Sequence, residues 1–170
     1  MYENTGFFMT TYSATSDWQV NNSLSLHRLE RAIAVAGQEF SLILACCNSI
    51  PKQQQITTLL TTSSTLDIQA VNLSPETTTL YTTINDLLGQ TQPAALIING
   101  LEAVVEINQL LLSTNFIRNE FPKRFHCPIV LWVNDEILTK LVWLAPDLKN
   151  WAATTIRFEL PAIQPVCLGT

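Results

Sequence analysis

Glycine, basic residues and histidine are all scarce in this chain. Five glycines, nine lysines and arginines together, and two histidines are spread over 170 residues. The net charge is −5, and no basic stripe of the kind that grips nucleic acid is visible. The nearest approach is Lys123-Arg124 within Phe121-Pro122-Lys123-Arg124-Phe125-His126, and two adjacent charges more often form a solvated helix end. No apolar run reaches the length of a transmembrane span. The start, Met1-Tyr2-Glu3-Asn4-Thr5, lacks the basic and then apolar stretch of a signal peptide. The four cysteines, Cys46, Cys47, Cys127 and Cys167, form no C-x-x-C and no zinc-type spacing with histidine. Cys46 and Cys47 are neighbours in an apolar run, so on a strand they face opposite ways. All four read as reduced thiols in a cytoplasmic protein. No metal, cofactor, nucleic acid or membrane is implied.

What is present is globular. Hydrophobic residues make up 47% and charged residues 14%, and the length fits one domain with a full core. Residues 1–23, rich in Thr, Ser, Asn and Gln, read as a loose arm whose Phe7, Phe8, Tyr12 and Trp18 can pin it to the body. The domain is expected over 24–161 and a short tail over 162–170.

Within the domain, apolar periodicity alternates between two kinds of segment. A helix is expected from Ser25 to Ala36, stopped by Gly37, with His27 as a structural histidine. Almost wholly apolar runs near 40–47, 94–99 and 128–134 have the pattern of strands covered on both faces. Residues 67–73 alternate as a half-exposed strand, and 154–160 read as a fifth. Pro51 suits the first turn of a helix continuing through Ile56 and Leu60. Ser74-Pro75-Glu76 reads as the start of another, ending at Gly89. A long helix is expected from Ala103 to Phe121, and a last one from Glu136 to Leu144, stopping at Pro146. Strand-then-helix alternation implies parallel strands with right-handed crossovers. Sites in such sheets lie at the carboxyl ends of the strands, here the loops 47–51, 99–103 and 133–136.

A phosphate-binding loop after the first strand would read G-x-x-x-x-G-K-[ST], because glycines let backbone N–H groups wrap the phosphates and the lysine neutralises them. The stretch Asn48-Ser49-Ile50-Pro51-Lys52-Gln53-Gln54-Gln55 has no glycine, and Pro51 removes a donor. Lys52 is either a remnant of the site or a surface lysine. The third strand ends Leu96-Ile97-Ile98-Asn99-Gly100-Leu101-Glu102. An aspartate at position 99 would hold Mg²⁺, and a later glutamate would polarise the attacking water. Asn99 has no charge for that task. Glu102 is either that glutamate or an acid favoured at a helix N-terminus. His126-Cys127 lack the orienting partner a nucleophile needs. Asp135-Glu136 suit metal binding or helix capping equally.

The stretches Thr114-Asn115-Phe116-Ile117-Arg118-Asn119-Glu120, Cys127-Pro128-Ile129-Val130-Leu131-Trp132-Val133 and Leu144-Ala145-Pro146-Asp147-Leu148-Lys149-Asn150-Trp151 together resemble one family. It is that of the N-terminal P-loop NTPase-like domains of bacterial STAND-type signalling proteins, often fused to tetratricopeptide repeats. Those carry N-x-x-R on a helix, an apolar strand with Trp, then an A-P-D element with aromatics. The resemblance implies a three-layer α/β fold with a parallel five-stranded sheet in the order 5-1-4-3-2. It places the loops after strands one and three near each other. It makes Lys52, Asn99 and Glu102 a degenerate nucleotide site, and Asn115, Arg118, Trp132, Pro146, Asp147 and Trp151 motif residues. Asn115 and Arg118 are then expected in a buried hydrogen-bond network. The apolar neighbours of Trp132 and Trp151 predict that both pack with the last helix and are largely buried.

With both catalytic loops altered, the expected function is a non-catalytic interaction module of a signalling or defence assembly. Its expected partner is another protein subunit or repeat domain. The alternatives are a weak nucleotide-binding switch or ATPase, and a small enzyme of an unrelated class using the acids near Asp135.

Overall fold

Three runs with no polar interruption form the centre of the sheet: β1 (Ser41–Cys46), β3 (Ala95–Asn99) and β4 (Pro128–Val133). Strands buried on both faces have no solvent side to mark with polar residues. β2 (Ile68–Asn72) and β5 (Thr155–Arg157) flank them. A computed structural model describes the backbone of residues 9–160 and the side chains of 22–160. All pairings are parallel and the order is β2-β3-β4-β1-β5. That is the order expected, read from the other edge.

Helices cover both faces, making three layers. On one side α1 (Met9–Ala36) and α2 (Ile50–Ser63) place Leu29, Ile33, Ile56 and Leu60 against Ile43, Ala45, Ile97 and Trp132. The other side carries α3 (Leu80–Leu88), α4 (Ile107–Phe116), α5 (Glu120–Arg124), α6 (Asp135–Leu144) and α7 (Pro146–Trp151). Ile84, Leu110, Phe121 and Leu141 of these helices close over Leu44, Leu96, Ile98 and Leu131. Each such side chain, fully buried, stabilises by about 1.5–3 kcal/mol relative to exposure. Among the described residues no helix is long and apolar enough to cross a membrane.

Several elements depart from expectation. The first helix begins at Met9 rather than Ser25, so it overlaps the arm expected over 1–23. Residues 1–8, the side chains of Tyr12 and Trp18, and the tail expected over 162–170 lie outside the described residues. His27 is exposed and pairs with Glu30 at 3.5 Å, so it is not a core histidine. Ser74-Pro75-Glu76 forms a turn, with Thr77 N–H donating to Ser74 O, and the helix waits until Leu80. Thr77, Thr78 and Thr79 are β-branched and start a helix poorly, and Pro75 O accepts Val105 N–H instead. The long helix expected over 103–121 is three pieces: a 3₁₀ turn (Leu101–Ala103), α4 and α5. Pro122 cannot donate to Arg118 O, and its ring would strike that carbonyl. Phe121 N–H takes Arg118 O at 3.0 Å, tightening the turn. Past Pro146 the chain forms α7, with the proline in its first turn.

The β5 end of the sheet is finished by side chains. Asn22 of α1 donates to Glu159 O at 3.0 Å and accepts from Glu159 N–H at 2.9 Å. Ser25 Oγ donates to Arg157 O at 2.6 Å.

Candidate functional site

The carboxyl edge is where chemistry was expected, and its first loop is very short. Cys47, Asn48 and Ser49 are the whole connection between β1 and α2. Cys47 N–H still pairs with Val133 O at 2.9 Å. Ser49 caps α2, its Oγ accepting Lys52 N–H at 3.3 Å. Gln53, buried, donates from Nε2 to Cys47 O at 2.8 Å and ties the helix back onto the turn. Of the backbone donors around this turn, Cys47 and Lys52 N–H are engaged and Pro51 has none. The Lys52 ammonium sits 3.3 Å from Gln55 Oε1.

Asn99 ends β3 and accepts a hydrogen bond from Thr57 Oγ1 at 3.2 Å. Thr57 in turn accepts the indole N–H of Trp132 at 2.9 Å. Asn99 is therefore one end of a polar chain through the α2 layer. Gly100 follows with φ +93°, and a Cβ there would lie 3.0 Å from Leu73 O. This turn points Glu102 into a 3₁₀ helix, where Oε2 is buried without a hydrogen-bond partner among the described residues. The loops after β1 and β3 were expected to approach each other. β4 lies between those strands, and the β1 loop meets the β4 loop instead.

That meeting forms a cluster the sequence did not reveal: Cys46, Asn48, Asp135 and Arg157. Asn48 Nδ2 donates to Asp135 Oδ2 at 2.7 Å, and Asp135 N–H returns to Asn48 Oδ1 at 2.9 Å. Arg157 Nη1 pairs with Asp135 Oδ1 at 2.9 Å. The Asn48 amide first, and then the Arg157 guanidinium, hold the Asp135 carboxyl below the usual aspartate range. The Cys46 thiol donates to the same carboxylate at 3.6 Å. Burial pushes that thiol up to about 11, despite the opposing pull of Arg157, so it stays protonated at neutral pH. The one signal in the sequence is that Asn48 and Asp135 each stand just beyond an apolar strand. Arg157 joins them through the register Cys46↔Arg157, which no local pattern encodes. Capping of α6 falls to Asn134, whose Oδ1 accepts Ile137 N–H at 2.8 Å. Among the described residues no three His, Cys, Asp or Glu side chains gather around one point for a metal. Cys127 is buried and held up at about 11, while His126 is exposed. The two do not form a nucleophile pair.

The motif residues of the second half do meet, away from the sheet edge. Asn115 Oδ1 accepts Leu148 N–H at 2.9 Å. It supplies from α4 the cap that Ala145 cannot give to α7. Arg118 Nη1 donates to Asn115 O at 2.7 Å, and its Nη2 lies 3.6 Å from Asp147 Oδ2. Asp147 is exposed and Arg118 and Asn115 only half-buried, so this is a clamp in the helical layer, not the buried network expected under the sheet. Pro146, exposed, opens α7. Trp151 is half-buried, edge-on to Phe40 at 5.8 Å. Trp132 is fully buried, on the α1–α2 face beside Phe158 at 5.3 Å. It therefore does not share the last helix with Trp151, because its place in the pleat turns it the other way.

A groove of about 760 Å³ opens at the opposite, amino end of the sheet, between Ile33, Gln38, Asp67, Pro93 and His126. It is remote from every residue the sequence marked for nucleotide chemistry. Comparison with protein-family models, with curated proteins and with solved structures gives no match.

Proposed function

We propose that this chain is a non-catalytic interaction module on a P-loop NTPase-like scaffold, similar to the N-terminal domains of bacterial STAND-type signalling proteins. It acts in the cytoplasm within a signalling or defence assembly, and its partner is another protein subunit or repeat domain. The observation that carries this reading is the β1–α2 connection. A phosphate cradle is a loop of free N–H groups before a helix. Here the connection is only Cys47-Asn48-Ser49, too short and without the glycine to wrap a phosphate, and Ser49 takes the Lys52 N–H while Pro51 has none. Asn99 has no charge to offer a metal, and its Oδ1 accepts from Thr57.

Calorimetric titration with ATP and GTP in the presence of Mg²⁺ tests this. The expected affinity is no tighter than about millimolar, roughly −4 kcal/mol, and it does not change in Lys52→Ala. Micromolar binding that Lys52→Ala abolishes would replace this reading with a nucleotide-binding switch. Binding lost only in Glu102→Gln would instead assign a metal-dependent site to the β3 turn.

A further inference from the structure

We propose that the outer face of α4 and α6 docks an amphipathic helix of a partner protein, carrying lysine or arginine at the end that lies over the carboxyl edge of the sheet. The proposal rests on the interaction-module reading and names its surface. One cross-link joins α4 to α6, and a second joins α4 to α7, which follows α6 directly. Lys140 Nζ donates to Asn108 Oδ1 at 3.0 Å, and Asn115 Nδ2 donates to Asp147 Oδ2 at 3.4 Å. Leu112 and Trp143 fall between those links, and Phe116 lies one residue past Asn115. Phe116 is 85% exposed, Trp143 80% and Leu112 45%. Two aromatic rings so exposed present roughly 300 Å² of apolar surface, the size of the largest patch on a typical monomer. Tryptophan at the centre of such a patch is the usual energetic anchor of an interface. Parallel apolar ridges on neighbouring helices suit a third helix laid along them.

Charge sets the chemistry of the occupant. α4 and α6 both follow parallel strands, so their N-termini lie at the same edge. Glu106 and Glu136 stand there, both exposed, and neither takes part in a salt bridge among the described residues. At the far end the charges cancel in the pairs Arg118–Asp147 and Lys123–Glu120. Lys140 rises from mid-α6 and sets its ammonium on Asn108 in the first turn of α4, one positive charge against Glu106 and Glu136. The strip is thus apolar at Leu112, Phe116 and Trp143, net negative by one charge at one end and neutral at the other. A helix with a basic end complements it, whereas an anionic lipid surface would be repelled.

The test uses the full chain and a fluorescent amphipathic peptide of roughly 18 residues, about five turns, with leucines on one face and lysines at one end. A second peptide keeps the leucines and replaces lysine with glutamate. Fluorescence anisotropy should show the lysine peptide binding at least about tenfold tighter. Phe116→Ser with Trp143→Ser should remove that binding while leaving the circular dichroism spectrum unchanged. Glu106→Lys with Glu136→Lys should reverse the preference between the peptides. Equal binding of both peptides, or binding indifferent to the serine variant, would overturn the proposal. So would micromolar self-association in sedimentation that the Trp143→Ser change abolishes, since the face would then belong to a second copy. These readouts are independent of the nucleotide titration, so either reading can fail alone.

Discussion

The indole N–H of Trp132 in β4 donates to Thr57 Oγ1 in α2 at 2.9 Å, and both side chains are buried. Trp132→Ala loses the largest fully buried side chain and should cost about 3–5 kcal/mol. Thr57→Val leaves the indole N–H without an acceptor and should cost about 1–3 kcal/mol. Trp132→Phe removes the donor, so combined with Thr57→Val it should cost less than the sum of the two single changes. Urea denaturation of the four proteins gives the coupling. Additivity to within about 0.5 kcal/mol would mean that the bond contributes nothing.

Asn115→Ala should destabilise the fold by about 0.5–2 kcal/mol, the usual loss of a helix cap, because Leu148 N–H loses its acceptor. Asn115→Asp keeps an acceptor oxygen but sets a second negative charge beside Asp147, so it should recover only part of the loss. Hydrogen exchange at Leu148 should rise first. Unchanged protection there would show that the cap is dispensable.

Asp135 sets an acid-side dependence. Its folded carboxyl titrates below the ordinary aspartate value through the Asn48 and Arg157 contacts. The stabilisation is therefore present above the unfolded pKa, roughly 3.9, and is lost as pH falls through the lower folded value. The pair is more than half exposed, so at neutral pH Asp135→Asn should cost no more than about 1 kcal/mol. The gap between the two proteins should narrow as pH falls below the unfolded value. A gap that widened on acidification would reverse this assignment.

The described thiols should be inert in the native chain. Burial raises Cys46 and Cys127 to about 11, and raises Cys47 as well. In a Cys167→Ser background, a thiol reagent at pH 8 should react only at the rate of unfolding, and with all three once denaturant is added. One rapidly modified cysteine in native buffer would contradict the packing.

Asn99→Asp restores the acid that a magnesium site would need. It should yield no nucleotide hydrolysis, because the short β1–α2 turn still offers no phosphate cradle. Phosphate release above background in that variant would show that the turn is not the limiting defect.

The sheet was legible because β1, β3 and β4 are apolar without interruption, and a strand buried on both faces has to read that way. The strand order came with the family resemblance rather than from periodicity. Which face Trp132 takes was not legible, since a strand's pleat fixes it only relative to its neighbours and a slip of one residue inverts it. The helix start expected at Ser74 failed to a contact remote in sequence, Val105 N–H on Pro75 O. The break before α5 was written plainly in Pro122. At the candidate site Lys52, Asn99 and Glu102 were found by position along the chain. The Asp135–Arg157 pair was hidden because it depends on the register Cys46↔Arg157, which no residue pattern fixes even with β5 expected beside β1.

Asn22 makes the two bonds to Glu159 that the peptide group of another strand would make. With Ser25 on Arg157 O, it occupies backbone groups at that end of the sheet that an incoming strand would need. Unpaired edges invite chain-to-chain strand exchange and fibrous growth, and here the first helix caps one of the two. Any extension of the sheet by another polypeptide is thereby directed to β2, the opposite margin. This domain can be built into a larger assembly through its helices without its sheet becoming a template for polymerisation from both sides.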